Sequence, residues 1–358
     1  MTSSNAVKLK PGDTIGILGG GQLGRMLALA AARLGLRCNV YSPDPDSPAF
    51  DVVQRATCAE YADVAALELF AADVDVITYE FENVPSGTAM ILAARRPVLP
   101  DPAVLEITQD RLAEKDFVRK LGIATADYAD VSSIEALREA VARLHLPAVL
   151  KTRRFGYDGK GQSIIRSTTD LHTIWAELGT NAAILEQFIP FEREISVVAA
   201  RGADGHVECF DVTENEHRDH ILKTSIVPAS IPDALAAEAR EVATKIADAF
   251  KYVGVLAVEM FVVPGPGGPS LLVNEIAPRV HNSGHWTLDG ASVSQFEQHI
   301  RAIAGWPLAP VHRHGDVTMT NLIGSDVDDY AAWLTKPGAR PPLQQGRCAG
   351  GPENGACD

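Results

Sequence analysis

No stretch of the 358-residue sequence approaches the roughly 18 consecutive apolar residues that a bilayer-spanning helix needs, so no membrane partner is expected. The first thirteen residues, Met1 to Asp13, are polar and lack the apolar centre of a secretory signal. Positive charge is in deficit: 32 Lys and Arg stand against 46 Asp and Glu, a formal charge of −14. That argues against a nucleic-acid partner or an anionic membrane surface, while leaving room for a local basic pocket. The five cysteines (Cys38, Cys58, Cys209, Cys348, Cys357) show no Cys-x-x-Cys spacing and are odd in number. They read as reduced thiols in a cytoplasmic protein, not as a disulfide framework. No internal repeat is visible.

What is present is ordinary for a globular chain: 46% hydrophobic and 22% charged residues. The length suggests two or three domains. Thr14–Leu18 reads as a strand, Arg25–Leu34 as a helix ended by Gly35, and Leu36–Tyr41, Val74–Thr78 and Val98–Leu99 as further strands. This alternation implies a Rossmann-like parallel sheet over residues 1–108. A small α+β unit is expected over 109–192. It has helices at Asp110–Leu121, Ser133–Leu144 (N-cap Ser132) and Leu171–Leu178, and strands at Asp127–Val131, Ala148–Lys151, Ser163–Arg166 and Ala183–Phe188. A third, antiparallel unit is expected over 193–335. Its strands are Glu194–Ala200, Val207–Thr213, Gly254–Val263 and Leu271–Ile276, and its helices Pro232–Phe250 and Gln295–Ile303.

Four motifs carry chemistry. Gly19-x-Gly21-x-x-Gly24 fits a dinucleotide fingerprint, but no acidic residue closes the second strand. It fits a phosphate or ribose contact for another ligand, or a structural turn, better than a dinucleotide site. Lys151 precedes the glycine-rich run Phe155 to Gln162, which can fold over a polyphosphate or form a solvated hairpin; it lacks the strand–GK[ST]–helix context of a P-loop. Glu186-Gln187-Phe188-Ile189 ends a strand and offers backbone groups to an adenine edge. Glu259 and Glu275 lie on two strands joined by Pro264 to Pro269 and are symmetric about residue 267. They should face each other and, with Asn274, form an oxygen-rich Mg²⁺ site; the plainer reading is a pair of edge-strand carboxylates. Arg279, His281, Asn282, Ser283 and His285 follow within ten residues, a cluster suited to holding a charged transition state.

Taken together, Lys151, the Gly156–Gln162 loop, Glu186–Ile189, Glu259 and Asn274-Glu275 resemble the ATP-grasp superfamily. The strings GGGQLGRML, TYEFENVP, GYDGKGQ and NEIAPRVHNSGHWT resemble the N5-carboxyaminoimidazole ribonucleotide synthases of purine biosynthesis, over residues 14–330. That resemblance implies a three-domain ATP-grasp fold, a homodimer, and a ligase reaction joining bicarbonate to 5-aminoimidazole ribonucleotide through carboxyphosphate at the expense of ATP. It implies ATP contacts from Arg111, Lys151, Gly156, Tyr157, Asp158, Gly159, Lys160, Gly161, Gln162, Glu186, Gln187, Phe188, Ile189, Glu194, His217, Asn274 and Glu275, and Mg²⁺ on Glu259 and Glu275. The ribonucleotide and carboxyl donor would meet Gly20, Gln22, Tyr79, Glu80, Tyr157, Asp158, Arg279, His281, Asn282 and Ser283. Arg279, His281 and Asn282 are the catalytic set, and the loop 155–162 is the expected solvent-excluding lid.

One segment departs from the family pattern. The resemblance leads one to expect Tyr-x-Lys and Gly-Arg-Lys-Met-Gly-His segments after residue 330. Residues 336–358 instead read as a tail without apolar periodicity. Their codons are compatible with a shifted frame encoding those basic segments. The alternatives are therefore another ATP-grasp carboxylate–amine ligase, an NAD-dependent oxidoreductase resting on GGGQLG, or a nucleotide-binding homologue impaired by its C-terminus.

Overall fold

The computed structural model describes residues 7–154, 156, 160–322, 326 and 330–335. Phe155, Tyr157, Asp158 and Gly159 of the expected lid, and the tail 336–358, lie outside the described residues.

The first sheet is four-stranded and parallel, in the order β3-β2-β1-β4: β1 (Thr14–Leu18), β2 (Arg37–Ser42), β3 (Arg55–Cys58) and β4 (Val76–Tyr79). Val98 adds a single parallel bridge to Ile77 instead of a full strand. The helix Gln22–Arg33 packs on this sheet through Met26, Leu27, Ala30 and Ala31. It begins three residues earlier than the sequence suggests, because a carboxylate from elsewhere caps its first turn. It ends in a Schellman arrangement: Leu36 N–H donates to Ala31 O at 3.0 Å and Gly35 N–H to Ala32 O at 3.1 Å. Gly35 has φ +77°, a conformation that needs glycine.

The second sheet is antiparallel, in the order β5-β8-β6-β7: β5 (Tyr128–Val131), β6 (Ala148–Thr152), β7 (Gln162–Ile165) and β8 (Ala183–Gln187). Helices Ile134–Leu144 and Leu171–Leu178 cover it. Ser133, not Ser132, is the N-cap of the first. It is extended and accepts from Ala136 N–H at 3.1 Å, which Ser132 stands one residue too early to do.

The third sheet holds β9 (Arg193–Arg201), β10 (Val207–Cys209), β11 (Thr213–Arg218), β12 (Ile221–Val227), β13 (Gly254–Val263), β14 (Ser270–Ala277) and β15 (Val317–Thr320). The order is β14-β13-β9-β11-β12-β15, with β10 also on β9. The expected single strand Val207–Thr213 is split in two. The β11–β12 hairpin was not legible because its turn, Asp219-His220, reaches positive φ (52° and 67°) without glycine, on residues that only occasionally accept it. Side chains alternate between two cores. Ile195, Val197 and Ala199 face the helix Asp233–Ala249, while Val198, Ala200, Val255 and Ala257 face helices Gln22–Arg33 and Gln295–Ile303. The latter face leads, along β13, to Glu259.

Candidate active site

Glu259 and Glu275 pair across β13 and β14 as expected, but through a bulge. Nearer the turn the ladder runs Val263↔Ser270 to Met260↔Val273, a register that continues to Glu259 opposite Asn274. The bulge adds one residue to β14, so Asn274 and Glu275 together oppose Glu259. Each carboxylate already has a nitrogen donor beside it. His281 Nε2 lies 3.2 Å from Glu259 Oε1, and Arg111 Nη1 donates to Glu275 Oε2 at 3.0 Å. Burial would raise the Glu275 carboxyl; Arg111, by charge and hydrogen bond, and Lys151 outweigh it and hold it below the ordinary range. Glu259 and Asn274 share a shallow cleft with Glu194, Asn215 and His217. There His217 Nδ1 and Glu194 Oε2 are 2.5 Å apart. Burial disfavours the imidazolium, but the hydrogen bond and charge of Glu194 prevail and raise the His217 pKa.

Lys151 is held in place by a buried carboxylate. Its ammonium donates to Glu186 Oε2 at 3.0 Å, and Lys115 Nζ lies 3.5 Å from the same oxygen. Glu186 is buried; Lys115 and Lys151 overcome the cost of that burial and hold its carboxyl down at about 2. Along the expected adenine edge, Gln187 N–H donates to Asp127 O and Phe188 N–H to Pro147 O, while Phe191 N–H reaches back to Ile189 O. In the described part of the glycine-rich loop, Gly156 O accepts from Arg111 Nη2 at 3.1 Å, and Gln162 pairs with Lys151. Gly161 has φ +69°, and a Cβ there would stand 2.7 Å from Thr152 Oγ1. Lys160 is exposed.

The fingerprint GGGQLG is filled by the chain itself. Glu80, at the end of β4, accepts from the amides of both Gly21 and Gly24, where a pyrophosphate would sit in a dinucleotide site. A Cβ on Gly20 would lie 2.2 Å from Ser47 Oγ. This is the close approach the glycines permit, and it removes the basis for the NAD reading. Gln22 is buried with neither amide atom bonded among the described residues, and the buried Tyr79 hydroxyl is likewise without a partner there.

Arg279 forks onto Glu82: Nε and Nη2 (3.0 Å) meet its two carboxylate oxygens, and Nη1 donates to Val280 O at 3.0 Å. The Arg279 charge and hydrogen bonds outweigh burial and bring Glu82 down to about 2. His281 begins a hydrogen-bond chain of fixed sense. The Ser283 N–H is a donor only and meets His281 Nδ1 at 3.3 Å, so Nδ1 accepts and the ring proton sits on Nε2, toward Glu259. Ser283 Oγ lies 2.8 Å from Nδ1 and 2.7 Å from Ser196 Oγ; Asn215 Nδ2 donates to Ser196, and Ser225 to Asn215 Oδ1, each at 2.9 Å. Asn282 is exposed beside this chain, in the short turn Asn282–Gly284. His285 is held neutral, its pKa lowered by burial to about 3.

Glu82, Glu114, Lys115, Ser196 and Asn215 join the site without being among the residues expected there. A signal existed for two of them. Arg111, Glu114 and Lys115 share one face of the helix Arg111–Lys120 with the buried Val118, so charge lies on the stripe that should be apolar. Glu114 is buried, and burial followed by the charge of Glu275 raises its carboxyl to about 8.

Two family models match the chain: an ATP-grasp domain over residues 116–296 and a ribonucleotide synthetase preATP-grasp domain over 13–109. An N5-carboxyaminoimidazole ribonucleotide synthase of Brucella melitensis is 51% identical over 333 residues, 92% of this chain and 91% of that protein. The enzyme of the same name from Pseudomonas aeruginosa is 46% identical, covering 87% and 84%. The crystal structure of the Staphylococcus aureus N5-carboxyaminoimidazole synthetase complexed with ADP superposes with a TM-score of 0.87 at 36% identity, over 93% of this chain and 88% of that one. The Aspergillus clavatus synthase in complex with ADP and 5-aminoimidazole ribonucleotide gives 0.84 at 28% identity, over 92% and 91%.

Proposed function

The chain belongs to the N5-carboxyaminoimidazole ribonucleotide synthase family of ATP-grasp enzymes, and from that premise we propose how its own residues perform the reaction. The activity is the ATP-dependent carboxylation of 5-aminoimidazole ribonucleotide in purine biosynthesis. One observation carries the assignment of the site: Glu259 and Glu275 face each other inside a ring of donors made by the cations Arg111 and Lys151 and the imidazole of His281. Such a ring suits a polyphosphate and an anionic acceptor.

Bicarbonate is the carboxyl source. Its oxygen attacks the γ-phosphorus of ATP, the bond to ADP breaks, and carboxyphosphate forms. The oxygens of Glu259, Glu275 and Asn274 fit magnesium, which when bound would neutralise the phosphate oxygens. Arg111 and Lys151 attract the polyphosphate, the strand end Glu186–Ile189 takes the base, and Glu194 with His217 takes the ribose. The glycine-rich loop 155–162 closes over the phosphates and keeps water from the short-lived mixed anhydride. Arg279, its fork held on Glu82, turns its remaining Nη–H donors to the carboxyl group, and the Nε2–H of His281 and the amide of Asn282 donate to its oxygens. The substrate amine then attacks the carboxyl carbon, phosphate leaves, and the amine loses a proton.

In the same reading the ribonucleotide reaches the site from the side of Gly20, Gln22, Tyr79 and Glu80. The buried, unpartnered amide of Gln22 supports that side. The domains are 1–108, 109–192 and 193–335, and the protein acts as a cytoplasmic homodimer. ADP release tests the proposal. It should require both bicarbonate and 5-aminoimidazole ribonucleotide, and neither biotin nor formate should substitute. ADP release indifferent to the ribonucleotide would overturn it. Restoring the alternative frame after residue 336 should lower KM for the ribonucleotide alone, since the basic segments it encodes suit a phosphate.

A further inference from the structure

β14 is the edge strand of the third sheet, and its register decides which face Glu275 occupies. Leu271 and Val273 face the apolar core under the helix Asp233–Ala249, and so does Ile276. Ala277 faces the opposite core with Val255 and Ala257, the face that leads to Glu259. Two residues of the first set three positions apart require the extra residue at Asn274. Without it, strict alternation would put Glu275 beside Leu271 and Val273, in the apolar core, and leave Asn274 opposite Glu259.

An isolated bulge is a soft feature, because one ladder register competes with another. Here the outer side of β14 is held residue by residue. Val273 N–H donates to Ala124 O at 2.9 Å. Lys115 Nζ donates to Asn274 O at 3.2 Å, Arg111 to the Glu275 carboxylate at 3.0 Å, and Ile276 N–H to Glu114 Oε2 at 3.1 Å. Arg111, Glu114 and Lys115 stand at i, i+3 and i+4 of one helix, so one helical face grips three successive strand residues. Glu114 and Lys115 are 4% and 3% exposed, too buried to serve solubility. Lys115 is also seated on Glu186, which ties the grip to Lys151.

We propose that Glu114 and Lys115 are positioning residues: they lock the bulge at Asn274 and so set Glu275, not Asn274, opposite Glu259. The inference rests on the metal-site reading of the two carboxylates, but its first test does not. In the unliganded chain, amide hydrogen exchange over residues 271–276 reads the lock directly. Glu114→Ala and Lys115→Met should accelerate exchange there while the strands of the first sheet keep their rates. Glu114→Gln, which keeps an acceptor for the Ile276 amide, should exchange like the parent. Should Glu114→Ala not fold, Glu114→Asp keeps the acid, shortens its reach and is expected to show the same acceleration.

The second readout is Mn²⁺ binding to the ADP complex, followed by electron paramagnetic resonance. Loss of a group that orients a metal ligand costs metal affinity about 10- to 100-fold, and Glu114→Ala should fall in that range while ADP affinity without metal stays within about twofold. Unchanged exchange over 271–276 in both variants, or Glu114→Gln as damaging as Glu114→Ala, overturns the proposal. Failure of the parent chain to bind Mn²⁺ with ADP overturns the metal reading instead, and leaves the exchange result to judge the lock.

Discussion

Arg279 holds its guanidinium against Glu82, a carboxylate almost two hundred positions away in the chain. A planar fork between two oxygens has one orientation, so Glu82 fixes where the remaining face of Arg279 points. Lysine in its place keeps the charge and loses the fork. Arg279→Lys should therefore lower kcat by about 100-fold, an effect on the order of 3 kcal/mol, with KM for ATP little changed. Glu82→Gln should give a smaller loss, about tenfold, seen in kcat/KM for bicarbonate and not in KM for ATP. Steady-state rates with each substrate varied in turn check both, and an equal rise in the ATP KM would count against the role given to Arg279. His281 is a neutral donor by the same kind of reasoning. Ser283→Ala removes one of the three contacts that fix its ring, and should lower kcat without altering Mn²⁺ binding by the ADP complex.

Helix Gln22–Arg33 owes its early start to Glu80, a residue that no local rule joins to it. Anchoring its first-turn amides with a buried carboxylate is worth more than an ordinary cap, and Glu80→Ala should lower stability by about 1–3 kcal/mol, read as a drop in Tm. The same contrast separates what could be read from the sequence from what could not. The strand β13 was legible to its ends because its run is apolar but for Glu259 and a proline-glycine turn follows. The facing of Glu259 and Glu275 was also expected, but from a hairpin centre that the actual ladder does not have. The bulge that rescues the pairing is set by side chains from residues 111–115, and nothing within β14 announces it. Likewise TENEHRDHILKTSIV hid a hairpin, since its turn lacks glycine and its strand β11 is polar along much of its length. Pattern reading sees a chain's own neighbours. Glu80, Glu82, Glu114 and Lys115 act on residues 56 to 197 positions away.

Across the whole molecule, buried ionisable groups set how stability varies with pH, and the directions can be worked out. His299 is buried and His285 half-buried, and desolvation lowers the pKa of each from 6.5 to about 3. Below pH 6.5 the unfolded chain binds protons that the folded one refuses, so each costs stability as pH falls from 6.5 toward 3. Glu82 and Glu186, lowered from 4.5 to about 2, add a second loss as pH falls below 4.5. Glu114 acts in the opposite sense: raised from 4.5 to about 8, it keeps a proton that the unfolded chain has released. Its effect is a loss of stability as pH rises from 4.5 to 8. His217, raised above 6.5 by Glu194, also loses its contribution as pH climbs. Between 4.5 and 6.5 two histidines oppose one carboxyl and prevail; above 6.5 the histidines have no further effect and Glu114 and His217 remain. Tm measured by calorimetry at constant ionic strength should therefore peak near pH 6.5, with the steeper fall on the acid side. In Glu114→Gln the decline from pH 6.5 to 8 should shrink to what His217 alone supplies, while the acid branch keeps its slope. A variant whose alkaline decline matches that of the parent would show that Glu114 does not carry its proton into the folded state at neutral pH.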